Sequence, residues 1–299
     1  MSARKSLLDP AAIAKGEALG VIARGIVEGY RVGEHRSPFH GFAIEFAQHR
    51  EYATGDDLRH LDWKVLGRTD RYYIKQYEQD TNFVVHLVVD GSESMNYGSG
   101  SITKLDYAKV LAACLAYLVL GQNDAVTVNI FDTQVRDRFE RTDNKGKIHE
   151  IMHRLASFKA QEATQTARVL NELAATLRSR SIVILISDLF DDEQSLQKSV
   201  ERIRFQGSEV IVFHVLDPYE LEFPFIGTVK FVGLEGGPEL ETVPSSIRKS
   251  YLAAFGEFCK NMRKMCDRSS CHYVLCNTSV PLDETLSEYL AFRQNHLSR

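Results

Sequence analysis

The sequence predicts a doubly wound, mostly parallel α/β sheet with a small N-terminal lobe, and three observations predict it. Near-continuous apolar runs at 83–89 and 182–186 lack the alternation of half-exposed strands, as expected for strands buried on both faces of a parallel sheet. Stretches of helical length, with apolar residues at three- and four-residue intervals, lie between the strand-like runs. Each of the two runs is followed by an aspartate, Asp90 and Asp188. In sheets wound this way, ligand-binding groups stand just past the carboxyl ends of the strands.

The elements follow in order. Residues 9–30 set Ile13, Leu19, Ile22, Ala23 and Val27 at helical spacing, which predicts a helix that packs on something else. Residues 33–79 are dense in Arg, His, Asp, Tyr and Gly and read as a structured, polar, loop-rich segment with a short element at Tyr72-Tyr73-Ile74. The first core strand comes next, at 83–89. A helix is expected over 104–120, strands over 125–131 and 135–139, helices over 147–157 and 166–178, and a second core strand at 182–186. The pattern then repeats with helix 193–205, strand 209–216, an excursion containing Pro218 and Pro224, strand 230–234, helix 246–268 and strand 273–276. The expected division is an N-terminal helix and polar lobe over 1–80 and one large sheet domain over 81–299.

Composition narrows the functional classes. With 299 residues the chain can bury one large core and an appendage. Hydrophobic residues at 44% and charged residues at 25% are ordinary globular values. A formal charge of −4 lacks the basic excess that phosphate neutralisation demands, which argues against nucleic acid as the main partner. The cysteines are Cys114, Cys259, Cys266, Cys271 and Cys276, an odd number in a chain whose start shows no signal peptide, so a reducing cytoplasm is expected. Gaps of six, four and four residues between the last four match no zinc pattern, which favours thiols packed as small apolar groups. The longest apolar stretch, 110–120, is 11 residues, whereas a spanning helix needs about 20, so a soluble protein is expected, one that could still sit beside a membrane through a partner.

The residues that carry chemistry are Asp90-Gly91-Ser92-Glu93-Ser94, where extended alternation aims positions 90, 92 and 94 to one side. Asp188, after the second core strand, adds a carboxylate, and Thr164, in the loop before the helix at Thr166, adds a hydroxyl. Such oxygen donors suit a hard cation, and hydroxyls leave it more positive than carboxylates would. Asp90 and Ser92 capping the following turn is the plainer alternative. A phosphatase using Asp90 as nucleophile is a rival, weakened because the position two residues on, where a general acid is wanted, is Ser92. A serine hydrolase lacks the second glycine of G-x-S-x-G.

Asp90-Gly91-Ser92-Glu93-Ser94 resembles the D-x-S-x-S motif of von Willebrand factor A domains, Ser187-Asp188 resembles their later aspartate, and Glu162-Ala163-Thr164 stands where they show Gly-Gly-Thr. The resemblance implies a Rossmann-type fold with a metal-ion-dependent adhesion site for Mg2+, or Mn2+ or Ca2+. Ser92, Ser94 and Thr164 would ligate directly, with Thr166 the alternative to Thr164. Asp90 and Asp188 would act mostly through water. Residues Gly33 to Pro38, Gly41, Phe46, Arg50-Glu51-Tyr52, Gly55 to Arg59, Asp62-Trp63-Lys64, Arg68-Thr69, Val215 to Pro218, Tyr289-Leu290 and Arg293 resemble the bacterial family called domain of unknown function 58. Many members begin with two transmembrane helices, and this chain is similar to the short branch without them. The resemblance implies a non-enzymatic adaptor or co-chaperone for a MoxR-type AAA+ ATPase, docking a client that offers an acidic residue. The charged residues between Asp56 and Arg68 read as an ion-pair network pinning the lobe, with Trp63 at least partly buried. His35, His40, His49 and His60 read as ordinary surface or core histidines.

Overall fold

A computed structural model describes residues 10–31, 44–51, 62–69, 72–79, 83–160, 162–177, 181–234 and 239–297. Helix α1 (Pro10–Arg31) is followed by strand β1 (Ile44–Glu51), a short helix α2 (Trp63–Thr69) and strand β2 (Tyr73–Gln79). β1 and β2 pair antiparallel, with a register shift between Phe46 and Gln48. The segment that reads as loop-rich thus holds a two-stranded ribbon. Its strands, IEFAQHRE and YIKQYEQ, are too polar to announce themselves, yet mutual pairing satisfies the backbone groups that face each other.

Trp63 corrects the expectation of burial, since it is 67% exposed while Asp62 beside it is buried. Asp62 turns inward, where its Oδ1 accepts from the Val65 N–H and its carbonyl from the Leu66 N–H. The residue that opens the capped turn therefore faces outward. Of the ion pairs expected between Asp56 and Arg68, residues 56–61 lie outside the described residues.

The main sheet begins with β3 (Val84–Asp90), followed by α3 (Lys104–Gly121), β4 (Ala125–Phe131), β5 (Val135–Thr142), α4 (Ile148–Ser157), α5 (Thr166–Thr176) and β6 (Ser181–Ser187). Then come α6 (Glu193–Phe205), β7 (Glu209–Leu216), α7 (Pro218–Glu222), β8 (Val229–Phe231), β9 (Leu240–Thr242), α8 (Pro244–Arg268), β10 (His272–Asn277) and α9 (Leu282–Leu297). Six strands form the sheet in the order β10-β7-β6-β3-β4-β5, and only β5 runs antiparallel to its neighbour. The chain winds outward from β3 through β4 and β5, then returns to β3's other side for β6 and β7. That reversal puts a topological switch point between β3 and β6, where a crevice opens beyond the strand ends. Val89 lies opposite Ile186, so Asp90 and Ser187 finish their strands side by side.

Two apolar layers hold the sheet. Val85, Leu87 and Val89 of β3 face a cluster built with α3, α4 and α9, while Val88 faces one built with α5, α6 and α8. α1 belongs to the first layer: Leu19, Ala23 and Val27 are buried in it, and a Cβ added at Gly20 would touch Met152 at 3.7 Å. Each such large side chain contributes about 1.5–3 kcal/mol. All five cysteines are free thiols, and burial pushes Cys114, Cys266 and Cys271 up to about 12. Among the described residues no helix is long and apolar enough to cross a membrane.

Candidate metal centre

At the switch point the local sequence builds a hydroxyl-lined corner. Asp90 is fully buried, and its Oδ1 accepts from the Ser92 N–H at 3.0 Å, turning the chain sharply out of β3. A short 3-10 turn, Glu93–Asn96, follows, with Ser92 Oγ 3.1 Å from Ser94 Oγ. Gly91 is required for room: a Cβ there would fall 2.3 Å from Cε1 of Phe158, whose ring lies against the turn. Asp90 Oδ2 accepts from the Ser187 hydroxyl at 2.6 Å and from the Thr164 hydroxyl at 3.2 Å. Thr164 Oγ1 is 3.1 Å from Thr166 Oγ1, and the Glu93 N–H donates to the Glu162 carbonyl at 2.8 Å. Of the two threonines, Thr164 is the one that donates to Asp90; Thr166 opens α5 behind it.

Asp188 is equally buried and has a partner that the spacing of motifs did not reveal. Lys104 Nζ lies 2.9 Å from Asp188 Oδ2 and 2.7 Å from Glu220 Oε1. Burial works against the lysine's charge, but Asp188 and Glu220 outweigh it and raise its pKa. Glu220 also closes a capping box with Asp217: Asp217 N–H donates to Glu220 Oε2 at 2.8 Å, and Asp217 Oδ1 accepts from the Tyr219 N–H at 2.8 Å. The pattern Asp217-Pro218-Tyr219-Glu220 is the signal that marks this cap in sequence. Behind Asp188, His214 Nε2 lies 2.9 Å from its carbonyl and Nδ1 lies 2.7 Å from the Tyr273 hydroxyl. Burial pushes His214 down to about 4, so it is neutral at pH 7, donating from Nε2 and accepting at Nδ1.

The loop carrying Thr164 is fixed from the other side. Arg136 Nε reaches both carboxylate oxygens of buried Asp132 at 2.7 Å, and its Nη2 reaches Glu162 Oε2 at 2.7 Å. The Gln165 N–H donates to the Asp132 carbonyl at 3.1 Å.

The donor set fits a small divalent cation. Asp90 is pushed up to about 7, first by burial and then by the nearby charge of Asp188. A buried Asp90 whose charge is disfavoured in this way, beside three neutral hydroxyls, forms an environment whose cost a hard cation would relieve. Among the described residues no three His, Cys, Asp or Glu side chains come together to hold a metal, neither at this corner, whose oxygens are mostly hydroxyls, nor in the cysteine-rich stretch near His272.

Fold and corner together define a doubly wound α/β domain with an oxygen-donor site at its switch point. The model of the family described as "Protein of unknown function DUF58" matches residues 48–257, and the chain belongs to that family. It is similar to the uncharacterized proteins Rv1480 of Mycobacterium tuberculosis and Mb1516 of Mycobacterium bovis, each 26% identical over 255 residues covering 84% of this chain and 80% of the relative. Among solved structures it is similar to BatB from Bacteroides thetaiotaomicron, with 19% identity, coverage of 71% and 99% and a TM-score of 0.44. It is also similar to the VWA domain of SpRpn10, with 14% identity, coverage of 68% and 93% and a TM-score of 0.39. At such scores the strand order of the chain itself carries the fold assignment.

Proposed function

We propose that this protein is a non-enzymatic docking module whose Asp90, Ser92, Ser94, Thr164 and Asp188 hold Mg2+, or Mn2+ or Ca2+, to receive an acidic residue of a partner. The observation that carries the reading is the convergence on Asp90 of two neutral hydroxyls, Thr164 and Ser187, at its Oδ2 and of the Ser92 N–H at its Oδ1. A cation held by Ser92, Ser94 and Thr164 keeps an unneutralised charge, which attracts a carboxylate from outside. The chain's part is to pre-position these oxygens: Ser187 ties the ends of β3 and β6, while Arg136 and Asp132 fix the Thr164 loop. The resemblance to its family supplies the proposed partner, a MoxR-type AAA+ ATPase, with assembly or maturation of a client as the shared task. Phosphoryl transfer by Asp90 has no observation in its favour, because the carboxylate is fully buried and its Oδ2 is taken by two hydroxyls.

Calorimetric titration of magnesium and manganese into the full chain tests the reading. Saturable heat, lost in Ser94→Ala and abolished in Thr164→Lys, which puts an ammonium among the donors, is the expected result. Binding of the ATPase should require the metal and fall at least about tenfold in Ser94→Ala. Full-affinity binding in excess chelator, unchanged in the Ser92→Ala, Ser94→Ala double variant, would sink it.

A further inference from the structure

The excursion between β7 and α8 builds a cavity of about 430 Å³ directly beside the candidate metal centre. Ser94 and Lys104 belong to its wall, and so do the rings of Tyr97, Phe190, Tyr219, Phe223, Phe231 and Tyr251. The rings brace one another: Phe223 stacks on Tyr251 at 4.3 Å and on Phe231 at 5.6 Å, and Phe190 stacks on Phe258 at 5.3 Å. The wall is therefore largely shaped before anything enters. Apolar surface gathers at its rim, where Phe190 is 38%, Tyr219 40% and Val232 59% exposed. Bulky apolar groups exposed together, rather than scattered singly, mark a surface that meets something else.

The chemistry of the occupant follows from what the cavity offers. Its charged groups, Lys104 and Glu220, are bound to each other at 2.7 Å, and Lys104 is bound to Asp188 as well. The ammonium stands 5.1 Å from the centre of the Phe190 ring. Those charges are matched within the protein, so the cavity selects for aromatic or aliphatic bulk. The charged half of recognition lies across Ser94, at the proposed metal. Phe190 follows Asp188 by two residues, so one turn of chain carries both a donor of the metal centre and a wall of the cavity. A ligand matching both features carries a carboxylate and a bulky apolar group a short distance apart.

We infer that the cavity beside Ser94 receives a bulky apolar side chain, aromatic or leucine-like, from the same partner segment whose carboxylate reaches the metal. The inference rests on the metal-docking reading and extends it. A partner is then chosen by a two-part motif, an acidic residue and an apolar residue at one fixed offset. The carboxylate supplies the charge complement, and the side chain in the ring-lined cavity acts as the buried anchor.

The test is a display library of short peptides with a central glutamate and random flanks, panned on the full chain in excess magnesium. The recovered peptides should be enriched in Phe, Trp, Tyr or Leu at one offset from the glutamate. A synthetic peptide of that sequence should bind at least about tenfold more weakly to Phe190→Ala and to Val232→Asp, with the heat of magnesium binding unchanged. Val232 is exposed, so its variant keeps the test valid if Phe190→Ala folds poorly. Peptides that need magnesium and glutamate but show no apolar preference, or that ignore both variants, overturn the two-part motif and leave metal docking standing. Peptides that bind through apolar residues without magnesium, or a library that yields no binder, overturn both. Self-association of the chain abolished by Val232→Asp also overturns the inference, because the occupant would then be a second copy.

Discussion

On one side of Asp90 the chain is held by polar bonds. Asp132, Arg136 and Glu162 clasp the Thr164 loop through contacts of 2.7 Å, and the Gln165 and Glu93 amides are both tied to carbonyls across it. On the other side, beyond Asp188, the chain is held by rings packed on rings, with the buried ammonium, the His214 ring and the Asp217–Glu220 cap as polar fastenings. The polar flank is closed on itself by hydrogen bonds and ion pairs. The aromatic flank leaves a cavity of about 430 Å³. Hydrogen bonds fix donor positions to within tenths of an ångström, as a metal's ligands require. Apolar packing around a gap keeps surface available for a side chain to cover. Each flank is built of the material its proposed task needs.

The sharpest way to break this comparison is at the ammonium. Lys104→Met leaves Asp188 and Glu220 buried without their cation, and should destabilise the fold by about 3–5 kcal/mol in urea denaturation. Adding Glu220→Gln should return part of the loss. A loss below about 1 kcal/mol would show that the rings alone hold the aromatic flank. Next in size, Gly91→Ala drives a methyl into the Phe158 ring and should cost about 1–3 kcal/mol by thermal denaturation, eased by Phe158→Ala in the same chain.

Three smaller effects concern the polar flank and the metal beside it. Arg136→Ala frees Glu162 and Asp132 and should weaken magnesium binding about tenfold, whereas Val232→Asp on the other flank leaves it unchanged. Equal effects of the two variants would erase the distinction between flanks. Asp90 in the folded protein holds its proton up to about pH 7, well above an ordinary aspartate. Proton and metal then compete below that pH, and magnesium affinity should rise about tenfold between about pH 6 and about pH 8. At about tenfold excess of magnesium over its dissociation constant, the melting temperature should rise by the equivalent of about 1.4 kcal/mol, reversed by chelator.

The core strands were legible because burial on both faces leaves an unbroken apolar run, as at β3 and β6. The chain 81–299 was read nearly element by element. β1, α2, α7, β9 and α9 were not, since polar ribbons, strands of three residues, helices of two turns or fewer and a helix of low amphipathicity leave little periodic trace. In the candidate site, Asp90, Ser92 and Ser94 were legible because they share one turn, and Asp188 because it stands at a strand end. Lys104 and Glu220 were not: they lie 84 and 116 residues from the partners they meet, and no local pattern records a contact made by winding. Trp63 departs from its pattern because a rare, large side chain suggests burial, while here the buried neighbour is Asp62, the cap.

Lys104 also bears on how the protein tolerates a fluctuating ion supply. A domain whose buried carboxylates faced each other with no cation of the chain's own would depend on a divalent ion in order to fold, as small metal-clamped domains do. Here the ammonium is covalently part of the chain and travels with it from synthesis onward, giving Asp188 and Glu220 a counter-charge inside the core. On the proposed docking reading, ion scarcity would silence the binding face while the buried counter-charge spares the folded population.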